Sequence, residues 1–440
     1  MEDIRMDDED GFVLVRHVDV EENPRANVDA PKYLDDISSF VDVIADDLWL
    51  VNKKIHDNPE LGYEEFIAHE VLTGYMDAQT GWKVIRSAYG MATAWVAIFD
   101  TGRKGPVISF NVEMDALPGI GHACGHNLIA TASVAGALAT ASLMQKHKLS
   151  GKLVVYGTPA EEGGGGKIRL LQAGAYSDYN VDLNLISHPG IVANCALMRT
   201  TAYTRFKVEY IGREAHAAAA PWMGINALDA LITAYNGLSV LRQQTMPGDI
   251  IQGYITEGGV APNIIHARAA GVFVVRAATQ ARLEELMVKV DNCFAAGALA
   301  SGAMLVVTPE QAYADHVPNR ALGRSYTRYF NCLRPDELIP TDQDVDEVRG
   351  RTQASTDQGD VSYAMPSLSA GLAILPGPLK TGPHNPEFAE SAGTRDAYER
   401  ALRCGKGLAG TAVDVLTQKG LLEEVKREWR ETMKGQGVIA

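Results

Sequence analysis

Carboxylate and imidazole side chains occur where three predicted strands of this chain end. Asp115 comes directly after the first strand pattern, Glu161 and Glu162 follow the second, and His188 ends the third. Ligands bind at the carboxyl ends of the strands in open α/β sheets, so we expect these side chains to share one crevice.

A second group of possible ligands lies just after Asp115. Cys124 and His126 are separated by one glycine, in a loop that tolerates close approach to a metal ion. A Cys-Gly-His tripeptide alone is more often an ordinary loop, but this one follows a strand that ends on a carboxylate. Thiolate, imidazole and carboxylate together suit zinc, and manganese or cobalt would also be acceptable.

The elements that must position these residues alternate between strand and helix. Short apolar or β-branched runs predict strands at 106–114, 152–157 and 181–187, and helical spacing predicts helices that include 33–56, 128–146 and 168–173. Alternation of this kind predicts a parallel sheet in an α/β domain.

From about residue 200 the pattern changes. Strands are predicted at 204–212, 250–256, 269–276 and 304–308, with helices at 226–244 and 281–300, which is the βαββαβ order of a ferredoxin-like unit. We therefore predict an α/β protein of two domains. Residues 33–198 and 313–440 form the metal-binding catalytic domain, 199–312 an inserted lid or dimerisation domain, and 1–32 a flexible acidic leader.

Composition and charge indicate which binding partners and which cellular compartment to expect. The net charge is −15, no Lys/Arg cluster stands out, and so nucleic acid is not an expected partner. The longest apolar run, 128–144, contains Ser and Thr and is shorter than the roughly 20 residues of a membrane span, so no membrane contact is expected. The N-terminus has no apolar signal core, and five widely spaced cysteines fit a reducing compartment, which predicts a cytoplasmic protein.

Several motifs, in order and spacing, resemble the aminoacylase/carboxypeptidase-type metallopeptidases, a family of amidohydrolases. They lie at 114–118 (MDALP), 124–127 (CGHN), 158–162 (TPAEE), 187–189 (SHP), 215–218 (AHAA), 258–263 (GGVAPN) and 383–385 (PHN). Within the family, residues 355–362 and 221–230 resemble the subgroup that holds β-alanyl-lysine dipeptidase and aminobenzoyl-glutamate hydrolase. One departure is Asn127, where many members carry an aspartate.

The resemblance implies a site with two divalent metal ions, most simply zinc, with manganese or cobalt as alternatives. Its ligands would be Cys124, His126, Glu162, His188 and His384. Glu161 would be the general base that takes a proton from water and passes it to the leaving amine. Asp115 would orient a ligand histidine, although it could instead cap the turn that follows it.

The inserted domain is expected to contribute to the same reaction. His216 resembles the family residue that stabilises the tetrahedral oxyanion, often in the site of a partner subunit, which implies a homodimer. The alternative is a surface histidine in an alanine-rich loop. Asn263 and, more weakly, Arg276 are expected to contact the substrate, and a structural salt bridge is an equal alternative for Arg276.

The function expected from this resemblance is hydrolysis of unusual dipeptides, such as β-alanyl or γ-aminobutyryl amides of lysine or ornithine. A second hypothesis is an aminoacylase-like hydrolase of N-acyl or aminobenzoyl amino acids, or of a specialised-metabolite amide. A third, from another class, is an inactive relative that binds or assembles. It predicts a missing ligand or base, yet every expected position is filled.

Overall fold

The computed structural model describes residues 30–438. Of the predicted acidic leader, only the last three residues are therefore described. Within this range the strands are, in chain order, β1 (Trp82–Arg86), β2 (Trp95–Asp100), β3 (Val107–Glu113), β4 (Lys152–Thr158), β5 (Leu183–Gly190), β6 (Ala202–Ile211), β7 (Ile250–Glu257), β8 (Arg268–Ala277), β9 (Met304–Tyr313) and β10 (Ser367–Ala373).

The α-helices of the same range surround two separate sheets. In chain order they are α1 (Leu34–His56), α2 (Phe66–Asp77), α3 (His126–Lys146), α4 (Gly166–Gln172), α5 (Ala175–Asp178), α6 (Ala227–Leu241), α7 (Gln280–Ser301), α8 (Arg320–Cys332), α9 (Gln343–Arg349), α10 (Gln358–Ala364), α11 (Pro386–Ala392), α12 (Arg395–Thr417) and α13 (Leu421–Gly435).

The larger sheet has six strands in the order β1-β2-β4-β3-β5-β10. Strands β4, β3, β5 and β10 are parallel, while β2 is antiparallel to both β1 and β4. The three strands predicted from apolar runs are β3, β4 and β5, and they lie side by side. Because β10 returns from the C-terminal third of the chain to pair with β5, the two ends of the sequence build one sheet.

Helix α3 is the central helix of this domain and packs against α1 and α12. It is long and apolar enough to cross a membrane, but 94% of its most apolar window is buried inside the protein. Small residues allow α12 to approach closely, since a Cβ added to Gly405 would lie 2.7 Å from the carbonyl oxygen of Ala132. This close approach explains why the apolar run at 128–144, which lies in α3, is rich in alanine.

The smaller sheet is antiparallel, in the order β7-β8-β6-β9, and α6 and α7 pack on it with a hydrophobic core of their own. The chain order β6-α6-β7-β8-α7-β9 is the predicted ferredoxin-like unit. The predicted fold class is confirmed: an α/β protein with a mixed sheet, in which four of six strands are parallel, and an inserted second sheet. The domain boundaries at 198/199 and 312/313 stay a prediction.

Candidate active site

The ends of three neighbouring parallel strands carry the chemistry. Strand β3 ends at Glu113, two residues before Asp115, and β4 ends at Thr158, three residues before Glu161. His188 lies near the end of β5, which pairs with β3. Since these strands run in the same direction, the residues meet at one edge of the sheet.

The loop before α3 brings a thiol and an imidazole to the same edge. Gly125, at the start of α3, has a φ of 74°, and a Cβ there would lie 2.6 Å from Cγ of Pro189. Only glycine fits this left-handed and crowded position. As a result Sγ of Cys124 lies 3.4 Å from Nε2 of His188, and His126 begins the buried helix.

All five predicted ligands fall into two groups that share one thiol. The first group is Cys124, His126 and His188, and the second is Cys124, Glu162 and His384. Within each group the possible ligand atoms lie within 4.8 Å of one another. Nε2 of His126 is buried without a hydrogen-bond partner, as expected of an atom reserved for a metal ion. The donor set therefore fits two divalent ions that share a thiolate.

His384 reaches the second group from an exposed loop. Its backbone is left-handed, with a φ of 65°, and its N–H donates to the carbonyl oxygen of Ala123 at 2.7 Å. Nε2 lies 3.2 Å from Oε1 of Glu162, which raises the pKa of the imidazole. A non-glycine residue with positive φ is strained, and such strain commonly occurs at functional sites.

Asp115 contacts and orients the imidazole of His126. Its Oδ1 lies 3.2 Å from Nδ1 of His126, and its Oδ2 accepts the backbone N–H of Glu162 at 2.9 Å. Burial alone would raise the pKa of Asp115, but His126 and the N–H groups of Glu162 and Glu161 lower it overall. A carboxylate at Nδ1 orients the ring of His126 and leaves Nε2 as the nitrogen available to a metal ion.

Glu161 lies beside the ligand groups and is 5% exposed. Burial, together with the charges of Glu113 and Glu162, raises the pKa of Glu161 well above its ordinary value. Its carbonyl oxygen accepts the hydroxyl of Tyr313 at 2.9 Å, which fixes the backbone. A buried carboxyl group of raised pKa can hold a proton between two transfer steps.

Comparisons with known proteins identify the family of the chain. Residues 109–290 match the model of peptidase family M20/M25/M40. The mouse Xaa-Arg dipeptidase is 37% identical over 401 residues, which cover 89% of this chain and 90% of that protein. The chain belongs to the peptidase family M20/M25/M40. It is therefore a hydrolase that acts on C–N bonds, as predicted.

A more distant relative and a solved structure also align with most of this chain. One component of p-aminobenzoyl-glutamate hydrolase from Escherichia coli K12 is 26% identical over 458 residues, covering 89% of this chain and 92% of that protein. Among solved structures, the Bacillus subtilis YXEP protein, described as a dinuclear metal binding peptidase of the M20 family, superposes with a TM-score of 0.64. It is 17% identical and covers 85% of this chain and 99% of that one, so it supports the fold.

Two of the residues predicted to act from the inserted domain lie on its surface. His216 and Asn263 are exposed and lie on adjacent loops, since the N–H of Ala217 donates to the carbonyl oxygen of Asn263 at 3.0 Å. Nδ1 of His216 accepts the N–H groups of Ala218 and Ala219 at 3.3 and 3.2 Å. The ring proton therefore resides on Nε2, which is free to donate.

Arg276 is occupied by protein groups. Its Nη1 donates to Oγ of Ser355 at 2.6 Å and to the carbonyl oxygen of Gln353 at 3.3 Å, and the guanidinium lies 4.6 Å from the ring centroid of Tyr203. These contacts tie β8 to the segment before α10. The substrate contact stays a prediction, and among the described residues no acidic side chain pairs with Arg276 to form the alternative salt bridge.

Asn127 does not face the metal ligands. Its side-chain amide donates to the carbonyl oxygen of Ala392 at 3.0 Å and lies 3.5 Å from Oδ1 of Asn52. The position where many family members carry an aspartate thus packs between α1, α3 and α11.

Sequence reasoning missed a buried ionic group beside the site. Lys167, at the start of α4, lies 2.7 Å from Oε1 of Glu113 and contacts the carboxylate of Asp357, and all three side chains are fully or almost fully buried. Side chains alternate along a strand, so Glu113 is expected on the same side as Asp115. This spacing is the sequence feature that could have identified Glu113 as a site residue. Nothing in the local sequence marks Asp357 as a partner of Lys167, 190 residues away.

Proposed function

We propose that this chain is a dinuclear metal-dependent dipeptidase that cleaves the amide bond of a dipeptide-like substrate with a basic residue, of the β-alanyl-lysine type. The observation that carries the proposal is a pair of ligand groups that share Cys124 beside the buried carboxyl group of Glu161. Cys124, His126 and His188 would hold one ion, and Cys124, Glu162 and His384 the other.

The residues around the ions would carry out proton transfer and orient the metal ligands. Divalent ions, when bound, polarise a substrate carbonyl and acidify a water molecule. Glu161 accepts the proton of the attacking water and returns it to the leaving amine, a transfer worth about 10²–10⁴-fold in rate. Asp115 keeps His126 in the orientation and tautomer needed for ligation.

The balance of buried charge supports two ions rather than one. Glu113, Asp115, Glu161 and Asp357 are all buried at this edge of the sheet, and the buried Lys167 pairs with Glu113 and Asp357. Buried carboxylates are stable only when they are paired or bound to metal. One ammonium group offsets a single negative charge. Two divalent ions would offset the remaining negative charge of the carboxylates and that of a thiolate.

A homodimer would complete the site. His216, the predicted oxyanion donor, is exposed, and Trp222, Met223 and Val260, which follow His216 or precede Asn263 in the sequence, are 76%, 60% and 89% exposed. Large exposed apolar side chains near a functional residue commonly mark an interface. We infer that the inserted domain of one subunit presents His216 to the metal ions of the other. A cytoplasmic location also remains part of the proposal.

The basic residue of the substrate is supported by two observations. The curated mouse relative is an Xaa-Arg dipeptidase, and the net charge of −15 favours the approach of a cationic substrate. The more distant E. coli relative is part of an aminobenzoyl-glutamate hydrolase, which would require an acidic leaving residue.

Steady-state turnover separates these substrate classes. The metal-loaded protein should hydrolyse β-alanyl-lysine and dipeptides that end in arginine with a higher kcat/KM than aminobenzoyl-glutamate or N-acetyl amino acids. A preference for aminobenzoyl-glutamate or for the N-acyl substrates would overturn the basic-dipeptide assignment. Metal analysis of the same sample tests the dinuclear site, which requires two ions per chain.

A further inference from the structure

Tyr313, the last residue of β9, joins the smaller sheet to the residue proposed as the base. Its side chain is 5% exposed, and its hydroxyl donates to the carbonyl oxygen of Glu161 at 2.9 Å. Strand β9 belongs to the smaller sheet, whereas Glu161 follows β4 of the larger one. This hydrogen bond therefore connects the two sheets at the residue that carries the base.

The turn that bears Glu161, residues 160–165 and here called the base turn, needs partners outside itself. Ala160, Gly163 and Gly165 have φ values of 55°, 123° and 62°. Strained backbone persists only where the surrounding structure holds it in place. The ring of Tyr313 also packs on this turn, since a Cβ added to Gly165 would lie 3.6 Å from its Cε1.

Within the base turn the carbonyl oxygen of Glu161 has one more donor, the N–H of Gly163 at 2.7 Å. That N–H moves together with the turn and cannot fix it to another element. The N–H of Glu162 donates separately to Oδ2 of Asp115 at 2.9 Å, which ties the neighbouring metal ligand to the loop after β3. Tyr313 thus acts on the base more than on the ligand beside it.

Tyr313 belongs to a row of side chains that crosses the smaller sheet. Tyr203 of β6 pairs with Tyr313 on one side and with Arg276 of β8 on the other. The two tyrosine rings have their centroids 6.0 Å apart, and the guanidinium of Arg276 lies 4.6 Å from the ring centroid of Tyr203. Side chains in such cross-strand pairs support one another on one face of a sheet. The row runs from Arg276, a predicted substrate contact, to the base turn.

The backbone that follows Tyr313 is held firmly by α10. The N–H of Ala314 donates to Oδ2 of Asp360 at 3.2 Å. A Cβ added to Gly359 would overlap the carbonyl oxygen of Ala314, so helix and strand end are in close contact. The hydroxyl of Tyr313 is therefore presented to Glu161 from a fixed support.

We propose that Tyr313 is a positioning residue for Glu161, through which the smaller sheet fixes the place of the base. The proposal rests on the role of Glu161 as general base in the function described above. Displacement of a reacting group by about 1 Å can cost about 100-fold in rate. Loss of the hydroxyl should consequently appear in kcat, and neither in KM nor in metal content.

The variant Tyr313→Phe tests this role because it keeps the ring and removes the hydroxyl alone. With the dipeptide that the wild type hydrolyses best, we expect kcat to fall by roughly 10-fold, less than the effect of a 1 Å displacement, with KM unchanged. The metal content should equal that of the wild type. Hydrogen exchange measured by mass spectrometry should become faster in the peptide that covers the base turn.

Tyr210→Phe is the matched control. The hydroxyl of Tyr210 is buried in the core of the smaller sheet and donates to the carbonyl oxygen of Phe294 at 2.7 Å. Its loss should lower the Tm about as much as Tyr313→Phe does, but leave kcat and the exchange of the base turn at wild-type values. Equal losses of kcat in the two variants, wild-type kcat in Tyr313→Phe, or loss of metal from Tyr313→Phe would overturn the assignment.

The test separates this proposal from the proposed function. Wild-type turnover in Glu161→Gln would contradict the role of the base itself, whereas an inactive Glu161→Gln beside a fully active Tyr313→Phe would contradict only the role of Tyr313. A crystal structure of the metal-loaded wild type decides the question even if Tyr313→Phe does not fold. The hydroxyl of Tyr313 should lie about 2.5–3.0 Å from the carbonyl oxygen of Glu161, and a separation beyond about 3.5 Å would overturn the assignment.

Discussion

The buried carboxylate of Glu65 accepts the backbone N–H of Ala160 at 2.8 Å, and so supports the residue that precedes Glu161. Ala160 has a φ of 55°, which is strained for a residue with a side chain. The same carboxylate accepts the N–H of Tyr63 at 3.0 Å and the hydroxyl of Thr93 at 2.5 Å. A single side chain from the segment before α2 thus fixes the turn on which the base is carried.

We expect Glu65→Ala to lower both stability and turnover. The variant leaves the buried N–H of Ala160 unpaired, a loss of about 1–3 kcal/mol in the free energy of unfolding. Relaxation of Ala160 would also displace Glu161 and lower kcat with little change in KM. Glu65→Gln retains an oxygen that can accept the Ala160 N–H and should be the milder variant. Urea unfolding and steady-state kinetics measure the two effects.

Glu60→Ala provides a control of the same residue type. Glu60 accepts the N–H groups of Ile67 and Ala68 at the start of α2, so its loss should also destabilise the fold. It does not touch Ala160, and its kcat should stay at the wild-type value. If both variants lowered kcat equally, the role of Glu65 would be general stability rather than support of the base.

A second prediction concerns the pH dependence of stability. Burial and the charge of Asp357 raise the pKa of Asp360 from 3.8 to about 7, although the N–H of Ala314 opposes this. The folded state therefore binds a proton at Asp360 that the unfolded state has lost, so the contribution of Asp360 to stability is most favourable below about pH 4 and is lost as the pH rises through 7. Asp360→Asn should be more stable than the wild type at pH 7.5, by on the order of 2–4 kcal/mol.

Chemical unfolding at several pH values checks this sign. The difference between Asp360→Asn and the wild type should shrink steadily from pH 7.5 to pH 4. A difference that is constant with pH would mean that Asp360 is ionised in the folded protein at all of these values.

Much of the site could be anticipated from sequence because its signals are local. The apolar runs of β3, β4 and β5 each end near an acidic residue or a histidine, and parallel pairing then brings these ends together. The five expected ligands do converge, in two groups. Their roles in binding metal stay a prediction.

Elements without such local signals were missed. Strand β10 is composed of serine, glycine, alanine and leucine, a composition that resembles a loop, and it becomes a strand because it pairs with β5 and is buried. Likewise the contact between Lys167 and Asp357 depends on the tertiary fold. Propensity and periodicity describe single segments, whereas such contacts join segments distant in the chain.

Replacement of the base separates catalysis from metal binding. Glu161→Gln should keep two bound ions and the wild-type stability, or gain stability, since it removes a buried carboxyl group whose pKa is strongly raised. Its kcat should fall by about 10²–10⁴-fold, because the amide cannot take the proton of water. Glu162→Gln, one residue away, should instead lose metal. Full activity in Glu161→Gln would assign the base to another residue.

The exposed position of His216 predicts that it acts on the site of a partner subunit. His216→Ala should lower kcat by about 10²–10³-fold, the usual effect of losing one oxyanion donor, and leave metal content unchanged. Nε2 carries the donated proton because Nδ1 already accepts two N–H groups. Size-exclusion chromatography with light scattering should show a dimer for both the wild type and the variant.

Mixing two inactive variants distinguishes action in the partner's site from action within one subunit. A dimer of one His216→Ala chain and one Glu161→Gln chain combines the intact base of the first with the intact His216 of the second. If His216 acts across the interface, each mixed dimer contains one complete site, and random exchange restores about a quarter of wild-type activity. If His216 acts within its own subunit, no mixed dimer has a complete site, and the mixture stays as inactive as its components. Subunit exchange is verified with differently tagged chains, so an inactive mixture in which exchange has occurred would contradict the proposed interface.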